Sequence, residues 1–293
     1  MSLTFGTGPL APRPAGVFNG SLGLPETVLF FDPYLPRVRA LLDGETVADS
    51  LATKLLHESG RLPVFYFPLG DVRTDLLEPS GTSVEVPSKG VASYRTLRGR
   101  KRAVTDAAWV FESPVEAAGF LAGHLAFDWT AIDEWFTEDE LVLGHPRDPY
   151  SRIEVLRSTR HVRVLLEGEL LADTRRAKIL YETALPPRFY IPAADVRTER
   201  LVPSPNRSRC AYKGSASYWH VRVGDRLAED LVWTYRNPAH DALPVADMLC
   251  FFNERVDLEV DSERAERPRT QWSRAADQEH AGASALQGLM GSR

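Results

Sequence analysis

The chain has 293 residues, 43% of them hydrophobic and 26% charged, with a formal net charge of −5. Such a composition excludes a disordered chain and supplies enough apolar side chains for two cores, while the mild acidity argues against nucleic acid or an anionic membrane as partner. Only Cys210 and Cys250 are present, without a Cys-x-x-Cys spacing, and no stretch is long and apolar enough to span a bilayer or to serve as a secretory leader, so a cytoplasmic protein without disulfides or structural zinc is expected.

In chain order, residues 1–27 hold Pro9, Pro12 and Pro14 among several glycines and read as an irregular N-terminal arm. The run Val38-Arg-Ala-Leu-Leu-Asp-Gly-Glu then places a two-residue turn, Asp43-Gly44, between two strands. Pro63 and Pro68 bracket an extended segment, and Arg98-Gly-Arg-Lys-Arg102 reads as a solvated hairpin tip because no aromatic platform accompanies it. Residues 116–123 fit a single helical turn before a strand around Phe127. Residues 138–160, with Pro146 and Pro149, read as an extended connector.

The pattern then starts again. Val162-Arg-Val-Leu-Leu-Glu-Gly-Glu turns at Glu167-Gly168, and residues 177–182 suit either a short helix or a strand. Residues 188–192 follow Pro186-Pro187 and carry prolines at their ends, as an edge strand can. Residues 216–223 and 231–235 form a hairpin around Gly224-Asp225, and a helical turn near Pro244 precedes a strand around Phe251. From Glu263 the chain turns polar and reads as a disordered tail over 263–293.

Both halves are copies of one module. Asp49 matches Asp173, Glu58 matches Glu182, Tyr66 matches Tyr190, Lys89 matches Lys213 and Trp109 matches Trp233, each pair 124 positions apart. About 36 of the 90 positions from Val38 to Phe127 are identical without a gap. The predicted architecture is therefore mainly β, with two similar compact domains of barrel or sandwich type, over 28–137 and, after the connector, up to residue 262.

Several segments of the second copy carry a resemblance: Gly168-Glu-Leu-Leu-Ala-Asp-Thr, Tyr181-Glu-Thr-Ala-Leu-Pro-Pro-Arg-Phe-Tyr-Ile-Pro192, Asp195-Val-Arg197, Cys210-Ala-Tyr-Lys-Gly-Ser-Ala-Ser-Tyr-Trp219 and Trp233-Thr-Tyr235. Together they resemble the domain of unknown function DUF427, and the repeat makes this a tandem two-copy member. The resemblance implies a compact β-tent-like domain without zinc cysteines, and a nucleotidyltransferase label that needs its own support. The first copy has Val86, Ser88 and Arg95 where the second has Cys210, Tyr212 and Trp219, so the second copy is the better candidate for a working site.

The candidate ligand-binding set is Glu182, Tyr190, Asp195, Arg197, Lys213 and Tyr218, each with an identical counterpart in the first copy. Asp195 and Arg197, two apart, would share a strand face as a surface ion pair, or Arg197 and Lys213 would hold an anion with Glu182 setting their geometry. Lys213 is either structurally paired with Glu182 or desolvated into a nucleophile or base. Gly214 is expected to serve backbone conformation, Trp233 and Tyr235 to be core, and Cys210 to be a small apolar residue rather than a nucleophile.

Asp257, Glu259 and Asp261 line one face of a predicted strand and could hold Mg²⁺, although a solvated face is the simpler reading. The functional expectation is a binding module, without a cofactor, that recognises a small anionic molecule or a protein partner through the second copy. The alternatives are a metal-dependent nucleotidyltransferase, which requires Lys213, Glu182 and Tyr218 to converge in a deep site, and a duplication that serves structure alone.

Overall fold

The computed structural model describes residues 3–4, 6–270 and 272–273, and the chain divides after Asp148 into two units. Unit 1 comprises β1 (Leu29–Pro33), β2 (Val38–Leu42), β3 (Glu45–Ser50), β4 (Lys54–Glu58), β5 (Val64–Pro68), β6 (Leu77–Val86), β7 (Gly90–Arg98), β8 (Ala103–Val110), β9 (His124–Phe127), β10 (Glu134–Thr137) and β11 (Glu140–Leu141). Unit 2 comprises β12 (Ile153–Arg157), β13 (Val162–Leu166), β14 (Glu169–Thr174), β15 (Lys178–Glu182), β16 (Arg188–Ile191), β17 (Leu201–Cys210), β18 (Gly214–Val223), β19 (Arg226–Pro238), β20 (Leu249–Phe251), β21 (Asp257–Val260) and β22 (Glu263–Arg264). Short 3-10 turns, among them Glu116–Leu121 and His240–Val245, are the helical content.

Each unit pairs an open seven-stranded sheet with an open four-stranded one. The orders are β1-β4-β5-β9-β8-β7-β6 and β11-β10-β2-β3 in unit 1, and β12-β15-β16-β20-β19-β18-β17 and β14-β13-β21-β22 in unit 2. The mainly β, two-domain architecture is the one the repeat predicts, built from open sheets rather than a closed barrel.

Local chemistry explains the hairpins. Asp43 and Gly44 have φ of 54° and 75°, and Glu167 and Gly168 have 54° and 84°, so both loops are two-residue turns with positive φ at each centre. That geometry matches the right-handed twist of the flanking strands. A register shift falls at the same place in both hairpins, at Ala40/Leu41 and Val164/Leu165.

Alternation along the strands sorts the cores. In unit 1, Leu55, Phe65, Phe67, Leu125 and Phe127 pack with Val38, Ala40 and Leu42 of the smaller sheet. Their neighbours Leu56, Tyr66 and Ala126 belong to a separate cluster with Phe111, Ala118 and Leu121. Period-two side-chain direction thus covers both faces of the large sheet, each fully buried Leu or Phe contributing about 1.5–3 kcal/mol. In unit 2 one continuous core runs from Val162 and Val164 through Tyr190 and Trp233 to Val260.

Of the two readings open for residues 177–182 the structure takes the strand, β15. Three segments differ from the sequence expectation. β16 lies between β15 and β20 instead of at an edge. Its prolines, Pro187 and Pro192, stand just outside the paired register and remove no ladder bond. The connector contains β11 and β12, and β12 pairs with β15. Finally, β22 pairs with β21, Ala265 donates its N–H to the Leu258 carbonyl at 2.8 Å and Ser273 is buried, so the disordered-tail reading fails for the described residues beyond 262. The rest of that tail, 274–293, lies outside the described residues.

The described residues before β1 form no strand or helix, and Thr4 donates its hydroxyl to the Glu58 carbonyl at 3.0 Å while its carbonyl accepts from Gly60 N–H at 3.1 Å. The long strands β6 and β17 are sheet edges, and each carries proline and a register shift, at Pro79/Ser83 and Pro203/Arg207. No helix among the described residues is long and apolar enough to cross a membrane.

Candidate functional site

Lys213 sits in the turn between β17 and β18, and its ammonium forms an ion pair with Glu182 at the end of β15. Side-chain exposures are only 12% and 7%, so the pair is shielded from water. The turn is fixed by Gly214, which has φ of +89° and lies where a Cβ would meet Ala239 N at 3.1 Å, while Ala239 donates to the Lys213 carbonyl. Unit 1 repeats the arrangement: Lys89 Nζ is 2.5 Å from Glu58 Oε2, and Gly90 is crowded by the Ser113 carbonyl. Burial alone would push the Lys213 ammonium toward neutrality, but Glu182, with Cys210 and Tyr190 adding to it, carries its pKa above the ordinary lysine value. The ion pair thus favours the charged form of Lys213, and of the two readings the structure shows the pairing with Glu182.

The aromatic residues beside this pair are internal. Tyr190 is fully buried, its hydroxyl accepts from Trp233 Nε1 at 3.1 Å, and burial pushes its phenol well above the usual range. Tyr66 and Trp109 make the same bond at 3.2 Å in unit 1. Trp233 and Tyr235 are core, at 7% and 5% exposure. Tyr218 is half-buried, which raises its phenol, and its hydroxyl shares a 2.7 Å hydrogen bond with Ser208 Oγ. Cys250 pairs across the sheet with Tyr190 and is fully buried, and desolvation pushes its thiol far up; Cys210, at the end of β17, is half-buried.

Asp195 and Arg197 do not share a strand face. Pro192 ends β16, and the chain continues through 3-10 turns at Ala193–Asp195 and Thr198–Arg200, so a two-residue spacing no longer means a common side. Asp195 instead accepts from Thr174 Oγ1 at 2.6 Å and pairs with Arg176 at 2.5 Å, which holds its carboxyl below the usual range. Asp71 accepts from Ser50 at 2.6 Å in the equivalent place. The Arg197 side chain is exposed. Of the six nominated residues the structure joins Glu182 with Lys213 directly and brings Tyr190 close to them, leaves Tyr218 bonded to Ser208, and ties Asp195 elsewhere.

The three carboxylates of β21 and its following turn are neutralised. Asp257 pairs with Arg264 and Arg267, Glu259 with Arg163 at 2.6 Å, and Asp261 with Arg160 at 2.8 Å. Burial would raise the Asp257 carboxyl, but the two guanidiniums hold it below the usual range. Among the described residues no three His, Cys, Asp or Glu side chains gather as a metal requires, and this donor set does not fit Mg²⁺. The arginines of the basic run of unit 1 are likewise matched, Arg98 by Glu78, Arg100 by Glu45, and Arg102 by Asp43 and Asp133.

One polar pair went unnoticed in the sequence. Arg188 of β16 donates both terminal nitrogens to the two oxygens of Glu254, each at 2.7 Å, with side-chain exposures of 8% and 0%. Thr270 Oγ1 donates to the same carboxylate at 2.6 Å. Unit 1 has Val64 and Thr130 at the matching positions, so the two charges arise together in one copy, and that paired change was the available signal.

Among the described residues of unit 1, one cleft of about 220 Å³ runs along Leu69, Leu77, Arg95 and His124, and another of about 90 Å³ lies around Trp109, Trp129 and Trp135. Neither contains Lys89, Glu58 or Tyr94, the counterparts of the nominated set.

Among known proteins, a family model described as "Domain of unknown function (DUF427)" matches residues 31–138 and again 154–262. No curated protein matches the chain. The two matched stretches cover most of the chain and coincide with the repeated sheet pairs, so this protein belongs to the DUF427 family as a tandem two-copy member.

Proposed function

We propose that this chain is a binding module whose second unit recognises an anionic group, carried by a small molecule or by a protein partner, on the face formed by β17 and β18. The observation behind this reading is where charge is left over. Lys213 is neutralised by Glu182, whereas Arg207 and Arg209 are exposed and stand in register with Ser217 and Ser215 of β18, whose hydroxyls share their face of the hairpin. Arg207 donates to two carbonyl oxygens, of Ser204 and Asn206, so its bonds cancel none of its charge. Unit 1 has Ser83 and Glu85 at these two positions, which restricts the basic edge to the second copy. Guanidiniums next to hydroxyl donors suit carboxylates and phosphates.

Metal-dependent nucleotidyl transfer has weaker support, because it needs free carboxylates to hold the cation and those of β21 are bound by arginines. A calorimetric screen of phosphate, citrate, nucleotides with and without Mg²⁺ and an acidic peptide tests the reading. Binding that weakens with salt and disappears in Arg207→Ala/Arg209→Ala is expected. Nucleotide turnover that requires Mg²⁺ would overturn it.

A further inference from the structure

The smaller cleft of unit 1 is a recess of about 90 Å³ lined chiefly by Val64, Trp109, Asp128, Trp129, Trp135 and Pro146. That is several times the roughly 10–15 Å³ one water needs by the same measure, and it is lined by aromatic side chains and one carboxylate. Shifting its residues by the repeat offset explains what the recess lacks. Val64 becomes Arg188, Trp109 becomes Trp233, Asp128 becomes Phe252 and Pro146 becomes Thr270. In unit 2 the Arg188 guanidinium lies 5.6 Å from the Trp233 ring centre, 5.9 Å from Phe252 and 5.3 Å from Trp272, with Glu254 as its counter-charge. Unit 2 therefore fills this place with a cation of its own.

We propose that the unit 1 recess binds a guanidinium group from outside the chain, in the position that Arg188 takes in unit 2. The backbone register is the same, since Leu56 faces Val64 as Leu180 faces Arg188. Trp109 keeps its place through the bond to Tyr66, and Trp129 and Trp135 stack 4.7 Å apart at 3°, held by Trp135 Nε1 donating to the Trp129 carbonyl at 3.1 Å. Aromatic rings attract a cation through their negative faces, and a planar guanidinium also stacks on them. Asp128 supplies the counter-charge: its Oδ1 accepts from Thr130 N–H at 2.8 Å and from Thr130 Oγ1 at 2.6 Å, while Oδ2 has no bond among the described residues. Arg147, next to Pro146, is not among the residues that line the recess. This site differs in unit and in ligand charge from the anion-binding face proposed for unit 2.

The test titrates the full chain by tryptophan fluorescence with ethylguanidinium, with ethylammonium, and with the blocked tripeptide acetyl-Gly-Arg-Gly-amide. Saturable binding of the two guanidinium ligands is expected, at least tenfold tighter than ethylammonium and at least fivefold weaker in Asp128→Asn. The Val64→Arg/Thr130→Glu variant rebuilds the internal pair of unit 2 and should lose binding while its circular dichroism is unchanged. If that variant does not fold, Asp128→Asn alone decides. A tripeptide that binds tighter than ethylguanidinium assigns the recess to an arginine side chain of a partner, and equal affinities assign it to a free small molecule. No saturable binding by the wild type, equal affinity for ethylammonium, or binding unaffected by Asp128→Asn would overturn the proposal.

Discussion

Replacing Lys213 by Met removes the ammonium and keeps the volume of the stem, so what changes is the charge opposite Glu182. The carboxylate stays at the end of β15 with 7% exposure and no cation, a situation that costs about 3–5 kcal/mol in buried pairs. Glu182 has one escape, protonation. An unfolded glutamate titrates near 4.3, so holding the folded one neutral at pH 7 costs about 3.7 kcal/mol, at 1.36 kcal/mol per unit, and this sets the ceiling for the electrostatic part of the loss. In the variant the folded state then binds a proton that the unfolded state lacks, and its stability rises as pH falls. The gap to wild type should shrink by about 1.4 kcal/mol per pH unit between pH 7 and 5. The double variant Lys213→Met/Glu182→Leu removes both charges and should return to within about 1 kcal/mol of wild type. Hydrogen exchange read on β15, β16 and β18 reports unit 2 directly. A single-variant loss under about 1 kcal/mol, or one that does not change with pH, would show that the pair is solvated and that the burial argument is wrong.

Other consequences are measurable in the same way. Arg188→Met leaves Glu254 with Thr270 as a remaining partner and strips the cation from three aromatic rings, so urea unfolding of unit 2 should lose about 3–5 kcal/mol. Asp195 has its carboxyl pKa depressed by Arg176 and Thr174; its contribution is present above the unfolded aspartate value and is lost as pH falls through the folded one, so Asp195→Asn should flatten the acid limb of the stability curve below about pH 4. Among the thiols, half-buried Cys210 should react with a disulfide reagent in the native protein and Cys250 only after unfolding, since Cys250 is fully buried with its thiol pKa pushed up; two equally fast thiols would contradict the burial.

Much of the fold was legible because the signals were local or were written twice. Asp43-Gly44 and Glu167-Gly168 specify their turns by backbone preference alone, and the repeat converts every reading in one copy into a check on the other. Position within a sheet is a non-local property. Prolines at the ends of residues 188–192 suit an edge, yet they suit a central strand equally when pairing stops short of them. The Asp195 and Arg197 expectation failed because a period-two argument assumes extended backbone, and the segment after Pro192 turns twice. Compositional polarity misled at the C-terminal end, where Arg264, Arg267 and Thr270 are polar because they meet Asp257 and Glu254 rather than solvent alone. The pairing of Lys213 with Glu182 was foreseen, but not that it would leave the exposed charge to Arg207 and Arg209.

A tandem protein with two long exposed strands, β6 and β17, faces a hazard of its own making, because each edge is a template for its counterpart in the other copy or in another molecule. With about 36 of 90 positions identical, a hairpin from one unit would find a nearly correct seat in the other during folding, the usual route to swapped or aggregated repeats. Pro79 on β6, and Pro203 and Pro205 on β17, delete amide donors, and the irregular register beside them twists the strand away from a flat ladder. The interruptions that shorten both hairpins thus keep the two copies from mistaking each other's edges for their own.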